Sequence, residues 1–136
     1  MIATLRLTVV TGPHRGKKFC FCGPNSCLLG RAEDCLVRLA GTERDYFVSR
    51  HHCQLSIDPP VVQIKDLDSQ NGTFLNGTMV DCMEMCLDPP GEDPAGAPDY
   101  LTVGGTTFRV DMVNCRGDHL WQDGETAKVD CPLPCP

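Results

Sequence analysis

Apolar and polar residues alternate with a period of two along most of this chain. Leu5, Leu7 and Val9 are interleaved with Thr4, Arg6 and Thr8, and the same rhythm returns at Phe19 and Phe21, Leu55 and Ile57, Val62 and Ile64, and Phe108, Val110 and Met112. Successive side chains of a strand point to opposite faces, so each run predicts a β-strand with one buried and one wet face. Between the runs lie turn formers: Gly12-Pro13, Gly23-Pro24-Asn25, Asp58-Pro59-Pro60, Asn71-Gly72, Asn76-Gly77 and Gly104-Gly105. Helical periodicity is nearly absent. Met79 to Leu87 fits either period and reads as strand, because a turn precedes it and a Pro-rich segment follows. Asp88 to Asp99 (DPPGEDPAGAPD) reads as one exposed loop, since alternation resumes at Tyr100. Beyond Val113 the pattern ends, leaving residues 114–136 as a polar, irregular tail behind a domain of residues 1–113.

Short strands at regular spacing with turns between them define an all-β class, an antiparallel β-sandwich whose two sheets bury their inner faces against each other. At 136 residues the chain holds one such core. Function is then expected on the loops, where polar groups are displayed without disturbing the interior.

Charge narrows the classes of partner. A formal charge of -6 and a pI near 5.0 disfavour general nucleic-acid or anionic-membrane binding, which draws on an excess of Lys and Arg. Any anion site must therefore be made locally. Arg6 interrupts the apolar N-terminal run, and no stretch approaches the roughly 20 apolar residues of a membrane span, so a soluble, cytoplasmic protein is expected. Ten cysteines in so short a chain would fit a secreted disulfide framework, but Cys20, Cys22 and Cys53 fall within strand-like runs and read as buried free thiols.

The polar residues that break the alternation cluster in Gly30-Arg31, in Ser49-Arg50-His51-His52, and in Asp68-Ser69-Gln70-Asn71-Gly72-Thr73 followed by Asn76-Gly77. A serine hydrolase would need a base, an orienting carboxylate and an oxyanion hole, yet no G-x-S-x-G elbow surrounds Ser49. Adjacent His51 and His52 point to opposite faces of an extended chain and cannot both grip one metal ion there. An anion pocket uses every part. Guanidinium, hydroxyl and backbone N–H groups give charge-assisted hydrogen bonds to a phosphate, and the carboxamide of Asn71 suits a peptide main chain running past it. The protein is thus expected to be a recognition module, not an enzyme.

In order and spacing these segments, including Asp66-Leu67 ahead of the third, resemble the signature of the forkhead-associated (FHA) domain, over about residues 2 to 113. The resemblance implies an eleven-stranded β-sandwich that recognises phosphothreonine peptides through loops at one end. It implies that Arg31 and Ser49 contact the phosphate, that Arg50 helps hold phosphate or peptide backbone, and that Asn71, with Gln70 beside it, binds the peptide. Gly30, His52, Gly72 and Asn76 would support the site: His52 braces the serine-bearing loop from inside, and Asn76 acts mainly as a hairpin turn. The partner implied is a phosphothreonine-containing protein modified by a Ser/Thr kinase in signalling, with no nucleic acid, membrane or cofactor. The competing reading is an FHA fold that mediates contacts without phosphate.

Two readings concern the tail. Cys115-x3-His119 and Cys131-x3-Cys135 have plausible zinc-pair spacings, against which stands a disordered tail with incidental thiols and three prolines around the second pair. A phosphorylated Thr126 docking into a neighbour's pocket would give self-association.

Overall fold

The structure, a computed structural model, describes residues 2–87, 98–115 and 126–128. Twelve strands are found among them: β1 (Ile2–Thr11), β2 (Lys18–Phe21), β3 (Asn25–Gly30), β4 (Val37–Arg38), β5 (Cys53–Asp58), β6 (Val61–Asp66), β7 (Thr73–Leu75), β8 (Thr78–Met79), β9 (Cys82–Cys86), β10 (Asp99–Val103), β11 (Thr106–Cys115) and β12 (Thr126–Lys128). One sheet has the order β12-β2-β1-β11-β10-β7-β8 and the other β4-β3-β5-β6-β9. Pairing is antiparallel except at two edges, where β4 runs parallel to β3 and β12 parallel to β2. No helix among the described residues is long and apolar enough to cross a membrane.

The predicted alternation maps onto the interior. Leu5, Leu7, Val9, Phe19, Phe21, Phe108 and Val110 of the first sheet meet Leu29, Leu55, Ile57, Val62 and Ile64 of the second in one buried cluster. Phe19 and Phe108 pack edge to face with centroids 6.4 Å apart, an arrangement worth about 0.5–1.5 kcal/mol beyond area burial. Met79 to Leu87 resolves as strand, split into β8 and β9. The strand β11 continues to Cys115, past the last alternating residue, because main-chain pairing of Ala3 with Asn114 and Ile2 with Cys115 requires no side-chain pattern. Thr126 lies in β12, opposite Lys18.

Cys27, Cys35 and Cys53 are buried free thiols and Cys20 is buried beside Phe19, whereas Cys22 is disulfide-bonded, which corrects the expectation for that residue. Alternation reports burial and carries no information on sulfur pairing. Burial pushes the thiols of Cys27 and Cys53 up to about 12, so both stay protonated and act as small core residues. Of the loop expected over Asp88–Asp99, residues 88–97 lie outside the described residues and Asp99 belongs to β10, paired with Val110; His119, Cys131, Cys135 and the side chain of Cys115 also lie outside them, so the zinc reading of the tail finds no geometry here.

One element was not expected. Glu43–Phe47 forms a short 3-10 helix between β4 and β5. The signal lies in Thr42-x-x-Asp45: the carboxylate of Asp45 accepts from the Thr42 amide at 3.0 Å and the Thr42 hydroxyl at 2.8 Å, a side chain reaching back to the residue that starts the turn. Asp45 is only 2% exposed. Its burial is offset by His14, whose Nε2 lies 3.0 Å from both carboxylate oxygens.

Candidate functional site

Three segments far apart in sequence meet at one end of the sandwich. The end of β3 is the first. A Cβ at Gly30 would lie 2.1 Å from the carbonyl oxygen of Arg50 and 2.9 Å from that of Ser49, so only glycine lets the two backbones pass so closely. Immediately beyond, the Arg31 amide donates to Ser49 O at 3.2 Å and the Ala32 amide to Arg50 O at 3.0 Å, joining the arginine-bearing and serine-bearing segments. We expect Gly30→Ala to destabilise the fold by about 1–3 kcal/mol or more, since the clash is with backbone that has no rotamer to yield. A denaturant midpoint equal to that of wild type would show that the approach is looser than described.

The second segment is Phe47 to His52. The Nε of Arg31 donates to Val48 O at 2.6 Å, and its guanidinium carbon lies 5.3 Å from the centre of the exposed Tyr46 ring. These contacts fix the side chain while its two terminal nitrogens make no protein hydrogen bond among the described residues. Arg38 holds the same residue from behind, its Nε donating to Arg31 O at 2.9 Å. The Ser49 hydroxyl accepts from the Gln70 amide at 3.0 Å and keeps its proton to donate elsewhere. Arg50 is exposed and has no side-chain partner among the described residues.

The third segment, between β6 and β7, is organised by Asp66. Its carboxylate accepts from the Ser69 hydroxyl and amide and, at 2.7 Å, from the Thr73 hydroxyl, while Ser69 Oγ in turn accepts from the Gly72 amide at 3.0 Å. Desolvation opposes the charge on Asp66, but these hydrogen bonds outweigh it and hold the carboxyl below its ordinary 3.8. The turn places Asn71 so that its Nδ2 donates to Phe47 O at 2.8 Å. The carboxamide oxygen accepts no hydrogen bond among the described residues.

His52 joins the last two segments from inside. It is wholly buried; Nδ1 accepts from the Ser49 amide at 3.0 Å and Nε2 donates to Gly72 O at 2.8 Å. Those roles assign the neutral Nε2–H tautomer, and desolvation holds the ring below its ordinary 6.5. His51 points the other way, exposed, with Nε2 2.8 Å from an Asp34 oxygen. The two rings are set apart as expected, but by a turn at residues 50–51 and not by extended backbone.

Arg31, Ser49, Gln70 and Asn71 are thus brought together around Phe47–Ser49. Beside them, Arg31 and Arg50 line a groove of about 810 Å³ with Arg38, Tyr46 and His51. Asn76 goes elsewhere: at φ 51° it forms the β7–β8 turn, its Oδ1 accepts from the Tyr100 amide at 2.8 Å and its amide donates to Tyr100 O at 2.8 Å, so it ties the hairpin to β10. Sequence reasoning missed the His14–Asp45 pair, which sets the 3-10 helix under Tyr46 and Phe47. It also missed Gly104, where a Cβ would lie 2.7 Å from the Phe47 carbonyl.

A two-sheet sandwich that gathers a guanidinium, a hydroxyl and a carboxamide on loops at one end offers charge-assisted and neutral hydrogen bonds side by side. Residues 27–86 match the family model for the FHA domain. An FHA domain from a study of phosphothreonine-dependent interactions is 25% identical, with a TM-score of 0.62 and coverage of 82% of this chain and 99% of that one. The FHA domain of an Arabidopsis thaliana hypothetical protein is 26% identical, with a TM-score of 0.65 and coverage of 84% and 89%. The FhaA FHA domain, solved in complex with the intracellular domain of a second protein, is 25% identical, with a TM-score of 0.60 and coverage of 78% and 98%. No curated protein matches the chain. Residues 27–86 of this chain are thus similar to the FHA domain, and the sandwich has the fold of these solved FHA domains.

Proposed function

We propose that this chain reads phosphothreonine in an extended peptide of a partner protein, without catalysing any change in it. The observation that carries the reading is the convergence of Arg31 and Ser49 on Val48 and its neighbours, with Arg31 held through Nε and its terminal nitrogens left without a hydrogen bond among the described residues. A phosphothreonine brings about -1.5 to -2 charges and strong acceptor oxygens, matched by the Arg31 fork, the Ser49 hydroxyl and the exposed Arg50. The free carboxamide oxygen of Asn71 then accepts from a main-chain amide of the bound peptide, with Gln70 alongside. Support also comes from the similar FHA domain studied for phosphothreonine-dependent interactions.

On this reading the partner is the substrate of a Ser/Thr kinase and the meeting takes place in the cytoplasm. The domain of residues 1–113 carries the recognition surface, with β12 added at its sheet edge, and no cofactor takes part. A fluorescence titration with one peptide in phosphothreonine, phosphoserine and unmodified forms tests the proposal. Binding should be strongest for phosphothreonine and weaker by several kcal/mol for the unmodified peptide, because two guanidinium groups lose their charged acceptor. The phosphoserine form should lose only about 0.8 kcal/mol relative to phosphothreonine, the transfer value of one methyl. Equal affinity for all three forms would instead establish a phosphate-independent scaffold.

A further inference from the structure

Outside the phosphate-facing residues, one cluster of side chains is unexplained by peptide recognition. Asp34 and Cys35, in the loop after β3, and His51, in the loop before β5, bring a carboxylate oxygen, a thiol sulfur and an imidazole nitrogen within 4.8 Å of one another. His51 Nε2 lies 2.8 and 3.0 Å from the two Asp34 oxygens. Cys35 Sγ donates to Arg50 O at 3.2 Å, which fixes the sulfur beside them. We propose that Asp34, Cys35 and His51 form a binding site for a zinc-class divalent ion, clamping the loop that carries Arg31 to the loop that carries Ser49 and Arg50.

The donor set decides the metal class. Thiolate and imidazole select zinc and its later first-row neighbours over magnesium or calcium, which take oxygen cages. With metal–ligand distances of about 2.0–2.3 Å, tetrahedral geometry puts donor atoms about 3.3–3.6 Å apart. The cluster needs only a small closure at the sulfur and a slight opening where His51 and Asp34 now share a proton. Cys35 is 5% exposed, while the Asp34 and His51 side chains are 62% and 46% exposed. The sulfur therefore closes the inner side, and the fourth position opens onto solvent.

Binding is balanced in protons. The Cys35 thiol releases its proton to water, the imidazole keeps one proton on Nδ1 and donates its Nε2 lone pair, and the carboxylate is already ionised. Thiolate and carboxylate together cancel the two charges of the ion, which answers the repulsion from Arg38 and Arg50 nearby. The site stands on its own geometry, whether or not the phosphothreonine reading holds.

The test is a Co²⁺ titration of the full 136-residue chain, followed by Zn²⁺ displacement and melting. One equivalent of Co²⁺ should bind with a thiolate-to-metal charge-transfer band, and Zn²⁺ should raise the melting temperature. Because loss of a partner behind a ligand already costs 10- to 100-fold in affinity, loss of a ligand itself in His51→Ala or Cys35→Ser should cost at least about 100-fold. His51 is exposed, so His51→Ala remains folded and decides the matter even if Cys35→Ser does not fold. The double variant Cys131→Ser, Cys135→Ser should bind as wild type does. Absence of a thiolate band, a band unchanged in His51→Ala, or a band lost in the double variant would overturn the proposal.

Discussion

Arg31→Ala is expected to lower affinity for a phosphothreonine peptide by at least about thirtyfold, with the domain still folded. The estimate follows from truncating one partner of a desolvated, hydrogen-bonded charge pair, about 2 kcal/mol at the low end, with 1.4 kcal/mol for each factor of ten. On the protein side the change removes only the bond to Val48 O and the stacking on an exposed Tyr46 ring, together worth about 1–2.5 kcal/mol. Binding and melting should therefore separate. Ser49→Ala should follow in the same direction, losing the donor to the ligand and also the acceptor for the Gln70 amide that holds Asn71 in place. Isothermal titration beside a thermal melt checks both, and an Arg31→Ala protein that keeps wild-type affinity would leave the anion pocket without its central charge.

What made these residues legible before any coordinates is that each one breaks a pattern. Leu5, Leu7 and Val9 announce a strand because period-two alternation is a local consequence of backbone geometry. Arg31 and Ser49-Arg50 stand out against that rhythm as polar groups with no face to belong to. The Asn71-Gly72 turn reads in the same way, with Gly72 at φ +86°. The features that escaped depend on contacts the chain makes only after folding. His14 meets Asp45 across 31 positions, and nothing local to either marks the pair. The two-residue strand β4 is too short to alternate and exists because β3 offers it a parallel edge. Asp34, Cys35 and His51 look unrelated in sequence and become neighbours only because Gly30 lets Arg50 pass so closely. The strictest requirement at this end of the molecule is therefore one of backbone clearance, which a sequence shows only as a glycine.

His52→Ala should be the most damaging single change to the site as a whole, lowering both stability and peptide affinity. The side chain is wholly buried and bridges Ser49 N–H and Gly72 C=O. Truncation leaves a cavity and two part-buried polar groups without partners, a combination that costs about 3–5 kcal/mol, against a total of about 5–15 kcal/mol for a domain of this kind. The serine-bearing segment and the Asn71 turn lose their common anchor, so affinity falls with stability, unlike in Arg31→Ala. The same bridge sets a pH dependence. Because burial disfavours the imidazolium by more than the Gly72 carbonyl and the Asp66 carboxylate favour it, His52 titrates below its ordinary 6.5 in the folded protein, while the unfolded chain takes up the proton first as pH falls. Its contribution is complete above pH 6.5 and declines below that value until the folded-state pKa is reached. Denaturant unfolding between pH 7.5 and 5 should show the wild type losing stability on the acid side, with a smaller loss in His52→Ala. A mutant that melts as wild type does, with an unchanged acid slope, would mean that the two loops hold their positions without the buried ring.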